Sequence, residues 1–282
     1  MLAIMYLISW KKKNISVKML VKAVIAQFLI AVILVKVPAG RYVVSKVSDA
    51  VTSVINCGQD GLSFVFGSLA DSTAAAGSVF AIQVLGNIVF LSALVSFLYY
   101  IGILGFVVKW IGKAVGKLMG TSEVESFVAV ANMFLGQTDS PMPVAMVALV
   151  AAVNKLLGVC GISLQQVFSY VFASFGFFLG LDPSEILLEG NLLGSKLVLN
   201  EFVAFQQLGG MISSMDYRTG MIFAISLCGF ANFSSLGICV SGIAVLCPEK
   251  KSTLARLVFK AMLGGVAVSL ISAMTVGLVT LC

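Results

Sequence analysis

ESFVAVANMFLGQTDSPMP, residues 125–143, begins as an apolar helix and stops at Gly136. Gln137, Thr138 and Asp139 follow in a row, and Pro141 and Pro143 close the stretch. Two later stretches share its character: GSKLVLNEFVAF at 194–205 and LCGFANFSSLG at 227–237. Each sets a carboxylate or amides inside almost wholly apolar sequence. Polar groups at membrane depth are expensive and tend to line pathways. The three stretches are therefore expected to be helix breaks that converge on one polar ligand.

The composition supports a membrane setting. The chain has 282 residues, 60% of them hydrophobic and only 11% charged. A soluble domain carries about 25% charged residues. Residues 72–108, 156–181, 219–248 and 261–282 contain no Asp, Glu, Lys or Arg. Each run exceeds the roughly 20 residues that cross a hydrocarbon core. A buried soluble core would instead need amphipathic helices with charged outer faces. The net charge of +6 sits in short loops and fits anionic headgroups better than nucleic acid. The six cysteines are scattered without a CxxC pair, so neither a disulfide frame nor a metal site is read from them. Without histidine, a His-based triad or His metal site is excluded. No base–nucleophile pair points to an enzyme. Lys11–Lys13 follow the first apolar segment instead of preceding it, which argues against a cleavable signal peptide.

Along the chain, residues 2–10 are apolar but too short to span. Residues 23–35 form a thin span lengthened by snorkelling Lys18, Lys22 and Lys36. Residues 37–60 read as interfacial, NCGQDG at 56–61 as a turn, and 62–70 as a short apolar helix. Residues 79–108 read as one long span, anchored by Trp110, Lys109, Lys113 and Lys117. Thr121 and Ser122 precede Glu123 and Glu125 as a helix start. Helices follow at 144–160 and 163–181, and Asp182-Pro183-Ser184-Glu185 starts another that carries Lys196, Asn200 and Glu201 to Gly209-Gly210. Residues 219–246 form a span interrupted at 229–235, and 252–282 form the last span. A weak internal repeat is also visible: an amphipathic piece, at 50–70 and again at 163–181, precedes an acid-started helix that ends in a polar break. Broken helices at matching positions mark secondary transporters. The expected organisation is an N-terminal scaffold at 1–120, an incomplete first hairpin at 121–143, and a later scaffold helix, second hairpin, broken helix and last span at 144–282.

The chemistry of the breaks is specific. Asn132 and the Leu135 carbonyl stand near the end of a half-helix, where oxygens and a negative helix end suit a small hard cation. Gln137, Thr138 and Asp139 offer amide, hydroxyl and carboxylate to a base edge or a sugar hydroxyl; a plain turn is the alternative. Glu201 lies between KLVL and FVAF, and its carboxylate can accept from two vicinal hydroxyls of a ribose. A structural ion pair with Lys196 is the alternative. In GFANFSS, Gly229 permits unwinding, Phe230 or Phe233 can stack on a flat ring, and Asn232 and Ser235 supply hydrogen bonds. Helix packing through small residues is the alternative there.

Together the motifs resemble the concentrative nucleoside transporter family. GQTDSP is similar to that family's GQTEAP hairpin tip. LLGSKLVLNEFVAF and CGFANFSSLGI…PEKKSTLARL are similar to its second hairpin and the following broken helix. DAVTSVINCGQDGLSFVFGSLA and FAIQVLGNIVFLSALVSFLYY belong to the same resemblance. It implies an all-α, multi-pass plasma-membrane homotrimer of inverted-repeat type that moves nucleosides inward with sodium or protons and needs no other cofactor. Carried over residue by residue, it implies that Gln137, Thr138 and Asp139 contact the base. Glu201, Asn232 and Ser235 would contact the ribose, with Phe230 near the ligand, and Asn132 and Leu135 would bind sodium. Three departures stand out. Asp139 replaces the family's Glu, and the N-terminal segment is short. After Pro141 the chain also passes into VAMVALVAAVNKLLG, which resembles a much later family helix, so the first repeat is incomplete. Two functions are therefore expected: a shortened nucleoside:cation symporter, or a transport-inactive remnant serving as a trimer-forming or regulatory subunit.

Overall fold

A computed structural model of the chain describes residues 1–9, 12–71, 82, 86–135 and 142–281. Every regular element among the described residues is helical. α1 (Leu2–Ile8) is the short apolar run, and α2 (Val17–Val35) is continuous over 19 residues. The chain divides into two compact units.

One unit holds residues 16–26 and 37–139. It contains α3 (Pro38–Phe66), α4 (Gly86–Tyr100), α5 (Ile103–Met119) and α6 (Glu123–Leu135). Two expectations are corrected here. NCGQDG is not a turn, because α3 runs through it. Gly58 faces the ring of Phe90, which a Cβ would meet at 2.5 Å. Gln59 donates to the Ala70 carbonyl at 3.0 Å and accepts from Asn87 at 3.3 Å. These residues knit α3 to its neighbours, and that packing overrides their turn propensity. Residues 79–108 are not one straight span either. The chain breaks after Tyr100 and turns by 80° into α5, with Gly102 at φ 82, a left-handed conformation that glycine adopts without a Cβ clash. The start of α6 follows the sequence: Ser122 Oγ accepts from Glu125 N at 3.2 Å, and Glu125 accepts from Ser122 N at 3.1 Å.

The other unit holds residues 1–15, 27–36 and 140–282. Its helices are α7 (Met142–Leu157), α8 (Leu164–Leu179), α9 (Pro183–Val198), α10 (Glu201–Gly209), α11 (Tyr217–Leu227), α12 (Phe233–Leu246) and α13 (Lys251–Leu281). Ser163 and Gln166 cap α8 reciprocally, and Pro183 opens α9. α8 and α9 form a close hairpin. A Cβ on Gly190 would fall on the Ser169 carbonyl oxygen, and one on Gly194 would stand 2.8 Å from the Gln165 carbonyl oxygen. Small residues four apart let helix backbones approach. The core of this unit is Leu179, Leu192, Ile222, Phe223, Leu227 and Leu270, all almost fully buried. Lys260 reaches back to the Ile8 carbonyl at 3.1 Å, and Gln27 donates to Ser272 at 2.7 Å, so α1 and the second half of α2 lie along α13.

Among the described residues, Val17–Val35 and Pro248–Leu281 are long and apolar enough to cross a membrane. Two bent pairs pass the same test together: Val89–Tyr100 with Ile103–Met119, and Val150–Cys160 with Leu164–Leu179 at 85°.

Candidate functional site

The site is built where two helices break. α9 ends at Val198. Leu199 leaves the helical region, and Asn200 is extended, with its Oδ1 accepting from Val203 N at 3.0 Å to cap α10. The helix expected to run from the acidic turn at 182 to Gly209 is thus two half-helices, with Glu201 in the first turn of the second. The other break follows Leu227. Cys228 is extended, Gly229 takes φ 111, and Asn232 caps α12 through Ser235 N at 2.9 Å. An extended asparagine therefore starts the second half of each broken helix. The N-termini of α10 and α12 carry partial positive charge, which favours a carboxylate such as Glu201.

The two breaks dock on each other through hydrogen bonds. Asn232 Nδ2 donates to Glu201 Oε2 at 2.8 Å. Ser234 Oγ donates to the Leu199 carbonyl at 3.3 Å. Ser235 Oγ donates to the Phe230 carbonyl and contacts Asn232 Oδ1 at 3.0 Å. Asn232 is 3% exposed, Ser235 is also buried, Glu201 is half-buried and Phe230 is 37% exposed. The expected residues Glu201, Asn232 and Ser235 thus form one cluster, with Phe230 beside it on the more open side. A carboxylate, an amide and a hydroxyl within a few ångströms can exchange hydrogen bonds with vicinal hydroxyls.

Gln137, Thr138 and Asp139 lie outside the described residues. Asn132 and Leu135 fall in the last turn of α6, and their side chains are likewise outside them.

The ion pair considered for Glu201 is not what Lys196 makes. Lys196 is 2% exposed. Its ammonium donates to the Ser226 carbonyl at 2.9 Å, the Cys228 carbonyl at 3.3 Å and Ser269 Oγ at 3.3 Å. Ser269 Oγ in turn donates to the Cys228 carbonyl at 2.6 Å. Lys196 therefore satisfies carbonyls exposed where α11 ends. Sequence reasoning missed this role, and it missed Glu189, Ser226 and Ser269. The available signal was spacing: Glu189 and Lys196 are seven apart, on one face of α9.

Comparison with known proteins bears on this geometry. Residues 1–69 match a family described as Na+ dependent nucleoside transporter N-terminus, and residues 140–277 match its C-terminus. An uncharacterized transporter of Haemophilus influenzae is 29% identical over 396 aligned positions, spanning 99% of this chain and 95% of its own length. Nucleoside permease NupC of Helicobacter pylori is 26% identical, spanning 98% and 96%. The structure of CNTnw in an inward-facing substrate-bound state superposes with a TM-score of 0.87 at 25% identity, covering 99% of this chain and 95% of that one. Setting 396 aligned positions against 282 residues leaves at least 114 positions of the Haemophilus relative that face no residue of this chain. The similarity runs end to end while a large internal part is missing.

Proposed function

The chain belongs to the Na+ dependent nucleoside transporter family, a multi-pass membrane family of permeases rather than enzymes, and we propose that it binds nucleosides and carries them across the membrane with a coupled cation, sodium or proton. The observation that carries this reading is the docked pair of breaks, in which Glu201, Asn232 and Ser235 converge. Glu201 accepts the ribose hydroxyls, and Asn232 holds that carboxylate in place while capping α12. Phe230 covers the ring. Gln137, Thr138 and Asp139 supply the base contacts, and Asn132 with the Leu135 carbonyl supplies part of a sodium site. The protein works as a homotrimer.

The missing 114 or more positions favour a second reading, a transport-inactive remnant that assembles with other membrane subunits. At roughly 20 residues per crossing, that length amounts to several spans. Counterflow of labelled uridine in proteoliposomes separates the two. Exchange above protein-free vesicles is the expected result, and its absence selects the second reading. Sodium is tested separately by melting the purified protein in sodium and in choline. A ligand that binds the folded state stabilises it by RT ln(1 + [L]/Kd). With only Asn132 and one carbonyl in the partial cage, the melting temperature is expected to be the same in both salts.

A further inference from the structure

α9 presents Glu185, Glu189 and Lys196 along one face, spaced four and seven apart, and α11 presents Thr219 and Ser226, seven apart. At the shallow end Thr219 Oγ1 donates to Glu185 Oε2 at 3.1 Å, and Glu185 is only partly buried. One turn deeper Glu189 is 0% exposed, with the Ser226 hydroxyl and the Lys196 charge as its electrostatic neighbours. The Ser226 hydroxyl nevertheless donates to the Phe223 carbonyl at 2.8 Å. Among the described residues neither carboxyl oxygen of Glu189 has a hydrogen-bond partner. Lys196 spends its three donors on Ser226, Cys228 and Ser269, so it holds no proton toward a carboxylate.

The Lys196 charge interacts with both Glu201 and Glu189. One ammonium thus serves two carboxyl groups. With both ionised, the cluster carries a net negative charge in an apolar interior, where an uncompensated charge is costly. With one proton shared between them, it is neutral. Glu201 has a donor in Asn232, and Glu189 has none, so the proton falls to Glu189. Of the elements packed around the cluster, α13 carries Lys251, Arg256 and Lys260, the last of them nine residues before Ser269 and donating to the Ile8 carbonyl. α8 has no charged residue over 164–179, nor α12 over 233–246, and Glu201 is the one acid of α10. Tyr170 of α8 and Tyr217 of α11 are exposed. On α11, Arg218 donates to the Gly180 carbonyl at 2.8 Å and Asp216 caps the helix start. The Cys228 thiol donates to the Ala224 carbonyl at 3.3 Å.

We propose that Glu189 is the coupling-proton site of this transporter, linked through Lys196 to nucleoside held at Glu201 and reached from the aqueous side by way of Glu185 and Thr219. The proposal rests on the transport reading above. The proton comes from water and returns to it: an O–H bond forms at the Glu189 carboxylate as one breaks at the donor, and the reverse occurs on release. Ribose hydroxyls donating to Glu201 hold that group ionised, so its charge balances that of Lys196 and Glu189 keeps its proton while substrate is bound. Nucleoside and proton then travel together.

The test is Glu189→Gln, which keeps the shape and removes the titration, with Glu189→Asp as rescue. In proteoliposomes an inward gradient of one pH unit supports at most about tenfold uridine accumulation at one proton per nucleoside. The wild type and Glu189→Asp are expected to accumulate uridine under that gradient. Glu189→Gln is expected to keep wild-type counterflow, which shows it folded and binding, and to lose the accumulation. Equal proton-driven accumulation in wild type and Glu189→Gln overturns the proposal. Accumulation by the wild type with a sodium gradient alone does so too. A second readout needs no transport. Infrared difference spectra on pH titration should show a protonated-carboxyl band that Glu189→Gln lacks, and a band unchanged by the substitution excludes the proton site. Absence of counterflow in the wild type overturns the transport reading and the coupling role together. The infrared band alone then decides whether Glu189 holds a proton.

Discussion

Asn232 holds two positions at once, and separating them tests the site directly. Its Oδ1 caps α12 through Ser235 N, and its Nδ2 holds Glu201 at 2.8 Å, all in a 3% exposed setting. Replacing it by Ala removes a cap, worth about 1 kcal/mol. It also removes a hydrogen bond to a charged group, worth roughly 1.5–3 kcal/mol. The sum is about 3 kcal/mol, or about a hundredfold in the folding equilibrium at 1.4 kcal/mol per tenfold. At roughly 2–4 °C per kcal/mol, Asn232→Ala should melt about 6–12 °C below wild type in detergent. Asn232→Asp divides the two roles. Aspartate caps a helix as well as asparagine does, but it replaces the donor to Glu201 with a second carboxylate. N232D should therefore fall at least as far as N232A, and saturating uridine should raise the melting point of neither. An N232D protein as stable as wild type would show that capping is the whole role, and the link between the two breaks would then be without energetic weight.

Two further substitutions probe the surroundings. Gly190→Ala drives a methyl group onto the Ser169 carbonyl and Ala173 across the α8–α9 hairpin, an overpacking cost of roughly 1–3 kcal/mol. Gly209→Ala, with nothing within 4 Å, should leave thermal stability unchanged in the same melt, and equal behaviour of the two variants would refute the close approach. Lys196→Met leaves the Ser226 and Cys228 carbonyls without their cation and should cost about 3 kcal/mol or more in denaturant unfolding, whereas wild-type stability would show that those carbonyls find other donors.

What could be read in advance followed from local contrast. Asn232 and Gly229 stand in apolar sequence, so the break at 228–232 announces itself, whereas Asn200 marks a polar spot without showing that the helix stops there. Ser122 with Glu125 and Ser163 with Gln166 mark helix starts by their three-residue spacing. What could not be read depended on partners distant in sequence. NCGQDG has turn composition, yet Gly58 is there to admit Phe90, and Gln59 to reach Ala70 and Asn87. A glycine inside a long apolar run, such as Gly102, fits a straight span and an 80° bend equally well. Lys196 and Glu201 look like near neighbours on one helix. The break between them removes the helical geometry that would pair them, and the end of α11 claims the ammonium. Glu189 is of the same type as the partly buried Glu185 on the same helix, and only packing shows that it is fully buried.

The missing internal segment weighs unequally on the parts of the site. The proposed recognition of vicinal hydroxyls rests on α9 to α12, whose two breaks hold each other by Asn232–Glu201 and Ser234–Leu199, and no bond in that set calls on an absent residue. A sodium cage is different, because a small hard cation exchanges its water shell only for several oxygens at once. One asparagine and one carbonyl are too few. A proton needs a single basic oxygen and a file of exchangeable groups to reach it. Glu185, Thr219, Glu189, Ser226 and Lys196 all lie on α9 and α11. If a chain shortened by more than a hundred positions still couples transport to a cation, this is the coupling whose parts it has kept.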